Sequence, residues 1–408
     1  MPNKDYELDG DTLVLLSRDG LKAYCFDNEI SRDEFNQPVI ISESISDCVN
    51  LFSDCISFNS PVTISDTVVD CEGMFRNCSS FNQPVTIPNT VKDCSDMFKG
   101  CESFNQPVTL PSAALNCSKM FYGCETFNQP VIIPKHVLNC ESMFSDCKVL
   151  NQPITLPSDV IDCSYMFHKC IVFNQYINLP DKIKDCEQMF SFCYNFNQPI
   201  NIPYGVKNCE GMFLRCDSFN SPVILSDTVE NCSNMFKGCE TFNQSIVIPS
   251  SVIDCSNMFV NCLDFNQSIQ ISESAIKCSS MFAYCKTFNQ PVHIPNTVRD
   301  CSYMFSGCFK FNQPINLPER VENTSYMFHN CLTFDQPVEI PDTVKCCESM
   351  FENCKELNKT MTMPSHLINY KNMFKGCTEF KQSFDDCDYH KDSDIMPGRL
   401  GGEFTNHF

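Results

Sequence analysis

The chain repeats one pattern of apolar and polar positions every 23 residues. Phe-Asn-Gln, or a close variant, begins at Phe35, Phe58, Phe81, Phe104, Phe127, Leu150, Phe173, Phe196, Phe219, Phe242, Phe265, Phe288, Phe311, Phe334, Leu357 and Phe380, with a constant step. A fixed period in this range marks an architecture built from stacked supersecondary units. Fifteen such units fill residues 35–379.

Residues 81–103 illustrate the elements that one unit predicts. Val85, Thr86 and Ile87 alternate in, out, in, as in a short strand. Pro84 precedes them and Pro88 follows; of the 24 prolines, all but Pro2 and Pro397 fall in these two slots. A proline has no N–H to give a ladder, so each marks a strand boundary. Cys94, Met97, Phe98 and Cys101 then recur at i, i+3, i+4 and i+7, the stripe of a short α or 3₁₀ helix. Asp93 stands at its N-cap, a slot held by Asp47, Asp70, Asn116, Asn139 and Asp162 in other units. Gly100 suits a left-handed helix stop. The Asn row (Asn36, Asn59, Asn82 and onward) predicts a ladder of amides that satisfies turn backbone.

One coil turns too few side chains inward to fold alone, so coils must stack and pair their strands in parallel. The expectation is an α/β repeat solenoid, leucine-rich-repeat-like, single and elongated. It has about fifteen 23-residue coils, each a short parallel strand plus a short α/3₁₀ helix. Residues 1–34 break the pattern. Leu13–Leu16 and Leu21–Phe26, separated by Ser17-Arg-Asp-Gly20, read as a β-hairpin that caps the first coil. The domains are therefore 1–34 (hairpin cap), 35–379 (solenoid) and 380–408 (polar C-terminal cap or tail).

The run Val91-Lys-Asp-Cys-Ser-Asp-Met-Phe-Lys-Gly-Cys-Glu-Ser-Phe-Asn-Gln106 resembles the BspA-type leucine-rich repeat, the DUF285 group. The Phe-Asn-Gln-Pro-Val and Ile-Pro-Asn-Thr-Val stretches resemble FNIP repeats as well. The resemblance spans about 35–379. The chain departs from BspA-type units in having no Trp and in placing Cys at the first helix slot. The resemblance implies the solenoid fold and a surface, adhesion or viral setting.

Thirty-one cysteines change the picture only through their placement. They fill two slots seven residues apart, Cys94 and Cys101 in this unit, and a helix would separate the two sulfurs by roughly 10 Å. That is too far for a disulfide and unlike the paired spacing of a zinc site. Equivalent cysteines of adjacent coils lie closer, but a small buried hydrophobe also suits the slot. The reading is reduced core thiols, with no disulfide, no metal and no cofactor. Cys387, Asp388 and His390 lie close in sequence without a fourth ligand.

A net charge of −21 excludes a nucleic-acid partner, which needs clustered Lys and Arg. No signal peptide is visible and no apolar run is long enough to span a membrane. With the thiols, this points to synthesis in a reducing cytoplasm, with incorporation into a virion or exposed surface as the further expectation.

The outward strand row is where such a scaffold presents a ligand face. It reads Thr86, Thr109, Ile132, Thr155, Asn178, Asn201, Ile224, Val247, Gln270, His293 and Asn316. The row continues to Glu339, its one carboxylate, two coils beyond His293; no nucleophile–base pair or phosphate loop appears. The expected function is non-enzymatic recognition of a protein or glycan, as a surface- or virion-associated adhesion or receptor-recognition protein. The alternative is an intracellular protein-interaction scaffold.

Overall fold

A computed structural model describes residues 5–364 and 366–382. The chain divides into two compact units, Met1–Ser226 and Asp227–Phe408. The residues assigned to the tail beyond 382, including Cys387, Asp388 and His390, lie outside the described residues.

The first unit opens with β1 (Tyr6–Asp9) and β2 (Thr12–Leu15), which pair antiparallel with Asp9 opposite Thr12. That register leaves Gly10-Asp11 as a two-residue turn, and Gly10 takes φ 60°, as a primed hairpin turn requires. The hairpin thus forms, and of the expected segments Leu13–Leu16 and Leu21–Phe26 the first supplies a strand, β2, whose partner is β1. The second of these segments is instead helix α1 (Gly20–Asp27), which buries Leu21, Tyr24 and Cys25 at helical spacing. Its first residue must be glycine: a Cβ there would meet the Asp5 carbonyl oxygen at 2.5 Å. Strand β2 continues in parallel into the repeats, pairing with β3 (Val39–Ile41), which pairs with β4 (Val62–Thr63).

Within the coils the alternation holds: Val85 and Ile87 are buried and Thr86 is exposed. Strand pairing recurs in this unit between β5 (Ile200–Asn201) and β6 (Val223–Ile224). Elsewhere in this unit the segment between the buried aliphatics contributes little to the lateral bonding. The main ladder runs along another edge. Leu115 N–H donates to the Lys92 carbonyl, Leu138 to Leu115 and Ile161 to Leu138, each at 2.9 Å. Asp70, Asp93, Asn116, Asn139 and Asp162 form successive parallel bridges beside them.

The short helix expected in each coil is replaced by consecutive tight turns. Met97 N–H donates to the Cys94 carbonyl (3.3 Å) and Cys101 N–H to that of Phe98 (3.0 Å). These are 3₁₀-type bonds, but Asp96 (φ 53°) and Gly100 (φ 72°) are left-handed, as at the third residue of a type II turn. The alternate N–H groups point to the next coil: Cys94, Asp96, Phe98 and Gly100 donate to Asn116, Ser118, Met120 and Tyr122. Half the donors close turns and half join coils, which a helix could not do. Asp93 therefore caps a turn rather than a helix, its carboxylate accepting from Ser95 N–H at 2.8 Å.

Cys94, Met97, Phe98 and Cys101 are nonetheless fully buried. Phenyl rings run through the core as two interlocked columns. Phe98 lies 4.3 Å from Phe104 of the next coil, with Phe81–Phe104 at 6.0 Å and Phe98–Phe121 at 5.7 Å, all near-parallel. The second cysteine of a coil also acts as a donor: the Cys101, Cys124 and Cys147 thiols reach the Phe75, Phe98 and Phe121 carbonyls at 3.0, 3.1 and 3.1 Å. The Asn ladder forms as well. Asn105 Oδ1 accepts Asn128 N–H (3.0 Å) and the Gln129 amide (3.2 Å).

The second unit has the same coil. Its bridges run Asn231, Asp254, Lys277, Asp300, Asn323, Cys346, Asn369, and β7 (Val338–Glu339) pairs in parallel with β8 (Met361–Thr362). Thr324 replaces a first-slot cysteine and donates to the Cys346 carbonyl at 3.2 Å. All the described cysteines of both units are free thiols, and every one except Cys346 is buried.

Candidate functional site

Every residue of the expected ligand row is exposed. In the first unit Thr86, Thr109, Ile132, Thr155, Asn178, Asn201 and Ile224 stand outward, and in the second Val247, Gln270, His293 and Asn316 do so. All but Asn316 sit between two buried aliphatics, as Asn201 does between Ile200 and Ile202, so the strand segment is anchored from behind while its central side chain faces out. Apolar members are conspicuous: Ile132 is 88% and Val247 83% exposed.

Two open grooves lie on this row. One, of about 650 Å³ in the first unit, is lined by Asn178, Asn201, Ile224, Lys182, Asp181 and Tyr204 among others. The other, of about 660 Å³ in the second unit, brings together Gln270, His293, Asn316 and Glu273. Thr86, Thr109, Ile132, Thr155 and Val247 line neither groove. His293 Nε2 lies 3.4 Å from the Glu273 carboxylate, so its nearest acid is Glu273 rather than the Glu339 of the row.

Asparagines fall into two populations. Those of the Phe-Asn-Gln slot are engaged: Asn174 Oδ1, for example, accepts Asn197 N–H at 2.9 Å and the Gln198 amide at 3.1 Å. The side-chain amides of Asn178 and Asn201 have no protein partner among the described residues, and each offers both donors and an acceptor to a ligand. Lys182 at the groove edge is held by Asp159 at 2.6 Å. That ammonium, together with His136 at 3.0 Å, keeps the Asp159 carboxyl below the ordinary carboxylate range.

Sequence reasoning missed the aromatic flank of the first groove. Tyr176, 61% exposed, occupies a slot that is proline in the coils on either side (Pro153 and Pro199), and Tyr204, 77% exposed, stands in the turn after Pro203. Departure from the repeat consensus was the available signal. Two histidine–serine pairs, His168 with Ser191 (2.5 Å) and His329 with Ser306 (3.3 Å), join neighbouring coils. Both serines are fully buried, so these pairs brace turns and meet no substrate. Burial holds both imidazoles below their usual range. No group of three His, Cys, Asp or Glu among the described residues converges as a metal site. Nor is any described helix long and apolar enough to cross a membrane.

The family model described as Mycoplasma protein of unknown function, DUF285, matches residues 28–133, 116–223, 138–248, 202–294, 248–338 and 276–387. No curated protein matches the chain. Among solved structures, a leucine-rich repeat protein from Bacteroides ovatus aligns at 18% identity over 92% of this chain and 91% of its own, with a TM-score of 0.55. A leucine rich cell surface protein from Faecalibacterium prausnitzii aligns at 17% identity over 86% and 91% (TM-score 0.44). A leucine-rich repeat protein from Eubacterium ventriosum aligns at 15% identity over 92% and 93% (TM-score 0.41). The Bacteroides match shows the fold, a leucine-rich-repeat solenoid.

Proposed function

The chain belongs to the DUF285 family, and on that premise we propose that it is a non-enzymatic recognition solenoid that binds its ligand along the outward strand row. One observation carries this reading. The row sets exposed side chains, including the unengaged amides of Asn178 and Asn201, on backbone fixed by stacked rings and ladders behind it. A site on such a scaffold is held in place before the ligand arrives, so little of the binding energy goes into ordering it.

The form of the reading we favour is adhesion or receptor recognition at a cell or particle surface. A second reading, an intracellular protein-interaction scaffold, draws on the free thiols, which suit a reducing compartment. Mass spectrometry of purified particles and surface fractions against lysate separates them; absence from particles and surfaces refutes the first. For the row itself, Thr155→Lys, Asn178→Lys and Asn201→Lys together should abolish capture of the partner and leave the melting temperature in place, since all three side chains are exposed. Undiminished capture would move the site elsewhere.

A further inference from the structure

The groove that holds Asn178 and Asn201 is lined by the exposed ring of Tyr204, and a second exposed ring, Tyr176, stands two residues before Asn178. Tyr176 and Asn178 lie two residues apart around the buried Ile177, so both project from the same side of one segment. Their side chains are therefore roughly 7 Å apart. Asn201 stands in the same slot one coil on, and Tyr204 lines the groove beside it. Asn201 is in register with Ile224 of the following coil. Along the row, equivalent residues advance by roughly 5 Å per coil, about the advance of one pyranose in an extended sugar chain.

We propose that this groove is a subsite for a neutral oligosaccharide lying along the coils, a reading that rests on the ligand row proposed above. The chemistry matches group by group. A pyranose has an apolar C–H face and a rim of hydroxyls that donate and accept. Tyrosine rings offer flat apolar surface at low entropic cost, with a hydroxyl at the tip. Carboxamides donate and accept in turn, and the Asn178 and Asn201 amides are not engaged by protein. The carboxylate of Asp181, on the same groove, accepts from further hydroxyls.

The charge balance selects neutral sugars. Lys182, the cation on this groove, is bound to Asp159, and the chain carries a net charge of −21, so acidic polymers are repelled. Protein ligands are the weaker fit, because hot spots are packed aromatic and Arg anchors in desolvated pockets. This groove is open, and polar groups line it beside Ile224.

Saturation-transfer NMR on the full chain tests the assignment with a β-glucan, a mannan and a chitin hexasaccharide, and with a hyaluronan hexasaccharide as the acidic control. At least one neutral hexasaccharide should bind. Tyr176→Ala with Tyr204→Ala should weaken it at least tenfold while the melting temperature stays unchanged, both rings being exposed. The acidic hexasaccharide should bind at least tenfold more weakly. Binding by none of the neutral sugars, indifference to both tyrosines, or equal binding of the acidic sugar overturns the proposal. If sugars fail while Asn178→Lys and Asn201→Lys still abolish protein capture, only the sugar assignment falls. If capture too is indifferent to those lysines, the ligand row falls with it.

Discussion

Raising the pH should unfold this protein abruptly, at a pH where most solenoids would be indifferent. Burial pushes the thiols up: to about 12 for Cys140, Cys301 and Cys377, to about 11 for Cys55, and well above the ordinary value for the wholly enclosed Cys124, Cys147 and Cys262. In the unfolded chain the same groups ionise near pH 8.5, by the ordinary thiol value of about 8.5. The folded state therefore keeps protons that the unfolded state releases. Stability is whole at about pH 7 and below, where the unfolded thiols also keep their protons, and falls as pH rises through about 8.5 towards the folded values.

The magnitude follows from how many thiols behave alike. At pH of about 8.5 each retained proton costs about 0.4 kcal/mol, and one unit higher about 1.4 kcal/mol. With about two dozen buried thiols the loss is about 10 kcal/mol at the first point and about 30 kcal/mol at the second. At about 0.05–0.15 kcal/mol per residue a chain of 408 residues has a stability on the order of 20–60 kcal/mol, so the fold should fail between about pH 9 and 10. The assay is a pH titration under reductant, following far-ultraviolet circular dichroism and thiolate absorbance together. Thiolate should appear only as ellipticity is lost, in one steep step that reverses on return to neutral pH. Thiolate from most of the cysteines growing in gradually from about pH 8.5 over an intact dichroism spectrum would refute their burial.

Two substitutions examine the coil's internal bonding. Cys147→Ala removes the thiol bonded to the Phe121 carbonyl at 3.1 Å and leaves a void, which should cost about 1–3 kcal/mol in denaturant titration. Cys147→Ser restores a donor and should recover part of that, whereas equal losses would reduce the thiol to filler. Asn105→Ala strips the acceptor from Asn128 N–H and Gln129, at about 1–3 kcal/mol, with faster amide exchange at Asn128. Asn105→Asp should be tolerated, because Asp335 already fills this slot and accepts Asn358 N–H at 2.9 Å.

How far the residues announced all this depends on which link is asked about. The constant period and the in-out-in pattern of Val85, Thr86 and Ile87 made the stack and its outward strand row legible, because burial acts on side chains directly. The spacing of Cys94, Met97, Phe98 and Cys101 identified the inward face correctly but suggested a helix, since i, i+3, i+4 and i+7 are equally served by successive turns. The contrary signal was there in residues that tolerate left-handed backbone, such as Asn50, Gly73, Asn234 and Asn257. Lys119, Tyr165 and Gln188 occupy the same slot and obscured it. In the N-terminal segment, Leu21, Tyr24 and Cys25 carried helical spacing that the adjacent apolar run hid. Tyr176 and Tyr204 escaped notice for the opposite reason: reading a repeat by its consensus discards the positions where one coil differs.

The hydrogen bonds between coils join residues 21 to 26 apart in the chain, as with Ser325 to Cys346, Asn105 to Asn128 and Cys147 to Phe121. Nothing in such a bond refers to how many coils precede or follow it. Copy number is consequently a free variable for this sequence. A recombination that drops or duplicates a whole 23-residue period rejoins every ring column, thiol bond and amide ladder in phase. A gain or loss of any other length puts each of them out of step at once. Selection on the length of the outward strand row can therefore act through the genetics of tandem repeats, one period at a time, without redesigning a single contact.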